Sequence, residues 1–210
     1  MKIAMIGAGN VGSALGRAWL RAGEDVVFGV PDPIDPKYAA LPRQRIHTPP
    51  EASRNAEVVV LATPWPATET AVKNLGDLSG KILIDCTNPL GMGRQGLELV
   101  IGHGMSGGEQ VAAWASGAAV FKTFNQTGAD NIDTAGLFPT RPVMFVAGDD
   151  AARKPIVLEL IAKLGFQAAD AGPLRIARLL EPLGMLWIDQ ALNRGRGQNF
   201  AFTLIERPRS

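Results

Sequence analysis

The sequence predicts an α/β fold with a doubly wound, mostly parallel sheet and a small C-terminal helical portion, and three observations support this. Short apolar runs alternate along the chain with segments whose apolar residues repeat at helical spacing, which is typical of strand–helix–strand units. Runs such as Val58–Leu61 are apolar throughout, which indicates strands covered on both faces. A glycine-rich loop directly follows the first run.

Seven apolar runs are predicted as strands, and they cover residues 2–6, 25–28, 57–63, 81–87, 119–124, 143–148 and 167–171. Two amphipathic helices are predicted to end at Gly23 and Gly165, because glycine is the commonest residue after a helix C-terminus. A last helix, over residues 174–193, is rich in large apolar side chains and is expected to pack on the sheet or on another subunit. The proline-rich stretch 31–50 is expected to be irregular.

Composition limits the classes of function. A chain of 210 residues, 46% apolar, fits one domain with at most a small appendage. Basic and acidic residues number 21 and 20, so no charge excess favours nucleic acid or an anionic membrane as a partner. The single cysteine, Cys86, excludes an intrachain disulfide and is expected to be a small core residue. With neither a signal peptide nor a long apolar span, the expected location is the cytoplasm.

The loop Gly7-Ala8-Gly9-Asn10-Val11-Gly12 carries the spacing G-x-G-x-x-G between a predicted strand and a predicted helix. In a Rossmann-type fold the first glycine permits the tight turn and the second lets a pyrophosphate approach the backbone, while the third allows close helix–strand packing. The unpaired N–H groups of the helix would face the phosphates. The loop therefore predicts nicotinamide dinucleotide binding, against the alternative of a glycine-rich turn that binds nothing.

The residues after the second strand leave the choice between NAD(H) and NADP(H) open. An acidic residue there would accept from a ribose 2′-hydroxyl, and arginine would suit a 2′-phosphate. Asp32 stands late for the first role. Lys37, Arg43 and Arg45 could reach a phosphate if the loop folds back, or could be solvated surface charges.

Neutral polar residues and prolines follow three other predicted strands. Thr63-Pro64-Trp65 follows the third, Thr87-Asn88-Pro89 the fourth, and Asn125 the fifth. Because the carboxyl ends of parallel strands meet at one edge, these loops are expected to converge where a dinucleotide binds. Their side chains are of the kind that orients a ribose or a carboxamide, although each could also be an ordinary loop residue.

No arrangement suited to polarising a carbonyl substrate is visible. The two histidines, His47 and His103, lie away from these strand ends, and no catalytic residue or metal ligand is assigned. Hydride transfer between a nicotinamide and a flavin-like ring needs no such residue, because the cofactors carry the chemistry. The pattern therefore favours a reductase whose acceptor is another cofactor or a similar small molecule.

Short segments in a fixed order carry a resemblance over nearly the whole chain. They are residues 6–16, 61–66, 84–91, 106–112, 122–128, 146–150 and 170–181. On these the chain resembles the NADP oxidoreductases that depend on the deazaflavin coenzyme F-420, and is similar to the N-terminal reductase domain of the STEAP metalloreductases.

The resemblance implies NADP(H) along the glycine loop, with NAD(H) possible, and the nicotinamide near Pro64, Trp65, Asn88, Pro89 and Asn125. It implies a second cofactor, F-420 or a flavin, stacked on the nicotinamide near the C-terminal tail, and a homodimer. Ala8, Val30 and Pro31 stand where F-420-dependent members carry a threonine and a Ser-Arg pair that hold the 2′-phosphate. This departure puts the NADP preference and an F-420 acceptor in question.

Residues 1–172 are predicted to form the dinucleotide-binding domain, and residues 173–210 a helix and tail on the acceptor side or at a dimer contact. A non-enzymatic NAD(P) redox sensor and a flavin-dependent ferric reductase module remain alternatives. Pyrroline-5-carboxylate reductase opens with a similar glycine loop, but too few residues follow Ala171 for its helical dimerisation domain.

Overall fold

The structure is a computed structural model that describes residues 1–94 and 96–207. The strands are β1 (Lys2–Ile6), β2 (Asp25–Gly29), β3 (Ile46–His47), β4 (Val58–Leu61), β5 (Ile82–Asp85), β6 (Leu90–Gly93), β7 (Gly96–Leu99), β8 (Ala119–Lys122), β9 (Val143–Gly148) and β10 (Gln167–Gly172). The helices are α1 (Asn10–Arg21), α2 (Pro49–Arg54), α3 (Trp65–Lys73), α4 (Gly107–Trp114), α5 (Ala129–Thr134), α6 (Lys154–Ala162) and α7 (Ala177–Leu192).

Eight strands form one sheet in the order β10-β9-β8-β5-β4-β1-β2-β3. The six strands from β8 to β3 run parallel, whereas β9 is antiparallel to β8 and parallel to β10. The predicted α/β class with a mostly parallel sheet is therefore confirmed. All seven predicted runs form strands of this sheet, and the structure adds the two-residue β3 and the separate hairpin β6–β7.

The strand order reverses beside β1, which has β2 on one side and β4 on the other. The chain leaves β1 towards β2 and returns to the opposite side to form β4. In doubly wound sheets this reversal opens a crevice at the carboxyl ends of the strands, where ligands bind. The crevice of this sheet lies between β1 and β4.

Helices cover both faces of the sheet. On one face Leu15, Trp19 and Leu160 pack with β-strand residues in a cluster formed by α1, α5 and α6. On the other face Val72 and Val111 belong to a second cluster, formed with α2, α3 and α4. Burial of apolar surface in both clusters is the main stabilising contribution, and it explains why the parallel strands carry no polar alternation.

The predicted helix ends are close to those observed. Gly23 and Gly165 follow α1 and α6 with φ of +87° and +92°, in the region that favours glycine. The stretch 31–50 is less irregular than expected, since it contains two 3₁₀ turns, β3 and the start of α2. Helix α2 begins after Thr48, which forms a capping box with Glu51.

The C-terminal portion begins with a 3₁₀ turn at Leu174–Ile176 and continues into α7, so the predicted helix 174–193 is confirmed with a short 3₁₀ start. The proposed boundary after residue 172 coincides with the end of β10, and its role as a domain boundary stays a prediction. Residues 208–210 of the proposed C-terminal portion lie outside the described residues. In the part of the chain that the structure describes, no helix is long and apolar enough to cross a membrane.

Candidate dinucleotide site

The glycine loop connects β1 to α1 in a tight turn. Gly7 has φ of +94° and its N–H donates to the Gly29 carbonyl oxygen at 3.0 Å. A Cβ on Gly7 would lie 2.6 Å from the Ala62 carbonyl oxygen, and a Cβ on Gly12 would lie 2.1 Å from the Gly7 carbonyl oxygen. These two glycines are therefore required by the turn itself, as the motif predicts.

The N-terminus of α1 is open above the loop. Gly9 is the N-cap and brings no capping side chain, and a Cβ added there would meet no atom within 4 Å. Asn10 is exposed, Ala8 and Val11 are half-buried, and the Ala8 carbonyl oxygen accepts from Ser13 Oγ at 2.8 Å. Because no side chain caps α1, the N-terminus of this helix presents unpaired N–H groups and a partial positive charge to an anion.

The N-terminus of α4, at the same edge, is closed by contrast. The Ser106 hydroxyl accepts from the Glu109 N–H at 3.1 Å, and the carboxylate of Glu181 accepts from the Gly107 and Gly108 N–H groups, both at 2.9 Å. Its first N–H groups are satisfied inside the protein. The open cradle at Gly9 thus fits a dinucleotide pyrophosphate, and α4 does not offer a second one.

The end of β2 offers little to a ribose phosphate. Val30 is fully buried, its N–H donates to the His47 carbonyl oxygen at 2.9 Å, and Pro31 is exposed but has no N–H. Lys37 is exposed and pairs with Asp35 at 2.7 Å.

The expectation that Arg45 could reach a 2′-phosphate conflicts with its geometry. Its guanidinium donates to Asp25 Oδ1 at 2.6 Å and to the Val26 carbonyl oxygen at 2.9 Å, and both residues lie at the amino end of β2. These two contacts hold the Arg45 side chain at the amino end of β2, away from the carboxyl ends of the strands. Arg43 is exposed and forms no ion pair within the described residues.

The loop after β4 is braced by hydroxyl groups. Thr68 Oγ1 donates to the Pro64 carbonyl oxygen at 3.1 Å and lies 3.0 Å from Thr63 Oγ1, so Thr63 is the donor between the two hydroxyls and its oxygen keeps its acceptor capacity. Pro64 is exposed. The half-buried Trp65 packs against Trp114, with ring centroids 5.7 Å apart, and its ring would lie 3.0 Å from a Cβ on Gly107.

Asn88 and Asn125 form a reciprocal amide pair between the ends of β5 and β8. Asn125 Nδ2 donates to Asn88 Oδ1 at 3.0 Å and to the Leu180 carbonyl oxygen at 2.8 Å, and Asn88 Nδ2 donates to the Asn125 carbonyl oxygen at 2.9 Å. Asn125 is 4% exposed and has both amide hydrogens engaged, so it holds the neighbouring loop rather than presenting a free donor. Asn88 is half-buried and keeps one N–H, and Pro89 is buried beside it.

A buried ionic cluster beneath these loops was not predicted from the sequence. Lys122 Nζ lies 2.9 Å from Asp85 Oδ2, 2.9 Å from Glu181 Oε1 and 2.6 Å from the Thr87 carbonyl oxygen. Lys122 and Asp85 are fully buried and Glu181 is 1% exposed. The available signal was the presence of a lysine and an aspartate in two otherwise apolar strands, because charges are buried only when they are paired.

Charge pairing decides the ionisation of this cluster. Burial lowers the pKa of Lys122, but the carboxylates of Asp85 and Glu181 outweigh that effect and leave the pKa above its usual value. The ammonium is therefore charged and has all three hydrogens engaged, so it is no proton donor to a ligand. Cys86 is buried in the core, as expected, and this burial, assisted by the charge of Asp85, raises the pKa of its thiol.

The site is chemically a binding surface of backbone N–H groups and neutral side chains. His47 ends β3, on the β2 side of the sheet, and His103 lies in an exposed turn before α4. Over residues 1–94 and 96–207, no group of three or more His, Cys, Asp or Glu side chains is placed to hold a metal ion. What the arrangement can do is to hold and orient a dinucleotide.

Known proteins resemble this chain over its length. Residues 2–89 match the family described as NADP oxidoreductase, coenzyme F-420-dependent. The F-420-dependent NADP reductase of Methanothermobacter thermautotrophicus is 29% identical over 228 aligned positions, covering 99% of this chain and 96% of the relative. Metalloreductase STEAP3 of Rattus norvegicus is 28% identical over 193 positions, covering 88% of this chain and 37% of the relative.

A solved structure is also similar to this chain. The crystal structure of a candidate F-420-dependent NADP reductase from Arthrobacter sp. FB24 superimposes with a TM-score of 0.89 at 31% identity, covering 98% of this chain and 100% of the other. The two chains therefore share one fold over nearly their whole length. This chain belongs to the family of coenzyme F-420-dependent NADP oxidoreductases.

Proposed function

We propose that the protein binds NADP(H), or NAD(H), along Gly7–Gly12 and transfers a hydride between the nicotinamide and coenzyme F-420, a flavin or a similar acceptor. The observation that carries the proposal is the uncapped N-terminus of α1, which opens at Gly9 into the crevice between β1 and β4. The name of the Methanothermobacter relative supports F-420 as the first acceptor to test.

Each part of the site has a task in this proposal. The N–H groups after Gly9 hold the pyrophosphate, and Thr63 Oγ1 and the free N–H of Asn88 orient the nicotinamide half. Trp65 and Pro89 provide rigid apolar surface that excludes water. The bound nicotinamide supplies or accepts the hydride, so the chain has to align two rings and needs no acid–base residue.

The experiment is an anaerobic titration followed by an acceptor screen. The purified protein is titrated with NADPH and NADH, and then NADPH oxidation is followed with F-420, FMN and FAD as separate acceptors. Oxidation of NADPH with stoichiometric reduction of one acceptor supports the proposal. Tight dinucleotide binding with no acceptor reduced contradicts the enzymatic part, and failure to bind either dinucleotide contradicts both parts.

A non-enzymatic redox sensor is a second candidate, and the end of β2 favours it. The buried Val30 and the N–H-less Pro31 provide none of the phosphate contacts that the resemblance implies for these positions. A sensor would differ in oligomeric state or partner binding between its NADPH-loaded and NADP⁺-loaded forms. Light scattering on the two forms tests this, and identical behaviour counts against the sensor.

A further inference from the structure

Lys122 joins four segments of the chain through one ammonium group. It lies at the end of β8 and contacts Asp85 at the end of β5, the Thr87 carbonyl oxygen in the following loop, and Glu181 on α7. Glu181 in turn accepts from the first N–H groups of α4. The three hydrogens of the ammonium have three acceptors, so its position is fully determined.

The loop after β5 is fixed from both sides by this cluster. Asp85 Oδ1 accepts from the Thr87 N–H at 2.9 Å and from its hydroxyl at 2.7 Å, while Lys122 holds the Thr87 carbonyl oxygen. Asn88 follows directly. The orientation of its amide therefore depends on charges that lie beneath it and are shielded from water.

Helix α7 also contacts the Asn88–Asn125 pair, which joins the loops after β5 and β8. The Leu180 carbonyl oxygen accepts from Asn125, and a Cβ on Gly184 would lie 2.5 Å from the Asn125 carbonyl oxygen and 2.9 Å from Asn88 Oδ1. The helix thus packs against the Asn88–Asn125 pair through backbone atoms. A shift of α7 would move the pair with it.

The cluster lies on one half of the crevice only. The ends of β4, β5 and β8 lie on the side of β1 away from β2. A dinucleotide that binds where the strand order reverses places its two nucleotides on opposite sides of β1. With the adenosine on the β2 side, the loop after β5 faces the nicotinamide half. The glycine loop, which holds the pyrophosphate, makes no contact with Lys122 in the described hydrogen-bond network.

We propose that Lys122 and Glu181 are positioning residues for the nicotinamide half of the dinucleotide, acting through the Thr87–Asn88 loop and through the docking of α7. This inference rests on the proposed dinucleotide binding and not on the identity of the acceptor. It makes the C-terminal helix part of the dinucleotide site, although the helix offers no side chain to the glycine loop.

The test compares two ligands that differ only in the nicotinamide. Dissociation constants for NADPH and for 2′-phospho-ADP-ribose, which lacks that ring, are measured by calorimetry on the wild type and on Glu181→Gln. NADH and ADP-ribose serve as the pair if the wild type prefers NADH. We expect Glu181→Gln to weaken NADPH at least fivefold and to change the affinity for the nicotinamide-free ligand less than twofold.

The choice of variant matters here. Lys122→Met would leave two buried carboxylates unpaired and strongly destabilise the fold, whereas Glu181→Gln keeps the shape of the side chain and is the deciding variant. Lys154→Met is the matched control, because Lys154 is also nearly buried and pairs with Asp170 Oδ1 at 2.8 Å, but at the β10 edge of the sheet. It is expected to leave the ratio of the two dissociation constants unchanged.

The possible results distinguish failure of the positioning role from failure of dinucleotide binding itself. A selective loss of NADPH affinity supports the positioning role. Equal losses for both ligands, or no loss for either, overturn it while dinucleotide binding stands. If the wild type binds neither ligand, the proposed function itself is wrong and the inference falls with it.

Discussion

Gly9 differs from the other two glycines of its loop in what it does. Gly7 and Gly12 face backbone atoms, so their lack of a side chain is needed to form the turn. Gly9 faces open space and has φ of −73°, which any residue can adopt. Its lack of a side chain has no structural use in the chain alone, which fits a ligand approaching the backbone there.

Gly9→Ala is therefore expected to separate binding from stability. The melting temperature should fall by no more than about 4 °C, since replacing glycine by alanine at an N-cap costs about 0.5–1 kcal/mol. The affinity for NADPH should fall at least tenfold, about 1.4 kcal/mol, because the methyl group occupies the approach to the N–H groups of α1. Calorimetric titration and thermal unfolding measure the two quantities.

Gly136→Ala is the matched control, because a Cβ there also meets no atom within 4 Å and the residue lies in the turn after α5. It should change neither quantity. Unchanged NADPH affinity in Gly9→Ala would contradict the placement of the pyrophosphate on this loop.

Arg43 and Arg45 form a second matched pair, for the 2′-phosphate. Arg45 is held by Asp25 at the amino end of β2, whereas Arg43 is exposed and forms no ion pair in the described chain. If a basic residue of this segment contacts a 2′-phosphate, Arg43→Ala should reduce NADPH affinity at least about tenfold, since a hydrogen bond to a charged group contributes on the order of 1.5 kcal/mol or more. It should leave NADH affinity unchanged.

Arg45→Ala should alter neither affinity, and parallel titrations of both variants measure this. A larger loss in Arg45→Ala than in Arg43→Ala would mean that the Asp25 contact breaks when the cofactor binds.

Among the elements, the N-terminal ends of β1 and β2 are tied to α6 by one carboxylate. Glu24 Oε2 lies 2.7 Å from the Met1 ammonium and Glu24 Oε1 lies 2.6 Å from Lys163 Nζ. The hydrogen bond from Lys163 and then that from the N-terminus lower the pKa of Glu24 below its usual 4.5. A lowered pKa means that Glu24 contributes stability above about pH 4.5 and that this contribution is lost as the pH falls through the folded-state pKa.

Glu24→Gln should consequently lower the free energy of unfolding near neutral pH by about 1 kcal/mol, a modest value because Lys163 is one-third exposed. The difference in the free energy of unfolding between wild type and variant should shrink as the pH falls below the usual pKa of the carboxyl group. Urea unfolding at several pH values measures it. Glu69→Gln is the control, because it breaks an exposed pair with Lys73 and should change the free energy of unfolding little at any pH. A loss of stability in Glu24→Gln that does not vary with pH would contradict the role of the lowered pKa.

The elements that the sequence predicts well are those with strong local patterns. The seven long strands and the ends of α1 and α6 follow from apolar runs and glycines, which act within a few residues. Strand β3 is only two residues long and gains its partners from β2, and the hairpin β6–β7 carries glycines in both strands, so neither has a local signal. The antiparallel direction of β9 depends on how the chain crosses the sheet and is invisible in a run of apolar residues.

The candidate site likewise contains features that the sequence shows and features that only the fold shows. The glycine loop and the polar strand ends are visible because each lies in one short segment. The cluster of Lys122, Asp85 and Glu181 joins residues separated by 37 positions or more, and only the folded chain shows that α7 passes over β5 and β8. Asn125 as a ligand contact stays a prediction, and its hydrogen bond to Leu180, 55 residues away, is likewise visible only in the folded chain.

For the whole molecule, the outer face of α7 is a candidate surface for contact with a second copy of the chain. Leu179 is 64% exposed and Leu186 49% exposed, seven positions apart on one side of the helix. The only charged residue between them is Glu181, which is buried. We propose that two copies meet through this face in a homodimer, since exposed apolar side chains on one helix face are removed from water when the face pairs with itself.

Light scattering at micromolar concentration should therefore give twice the monomer mass, and Leu186→Glu should shift it towards one monomer mass. The introduced carboxylates would be brought together at the interface without compensating cations. Leu137→Glu is the control, because Leu137 is more exposed than either leucine but lies in the turn after α5, on the α1 side of the molecule. A wild type that stays monomeric would overturn the dimer. A dimer that Leu137→Glu disrupts and Leu186→Glu does not would move the interface from the outer face of α7 to the turn after α5.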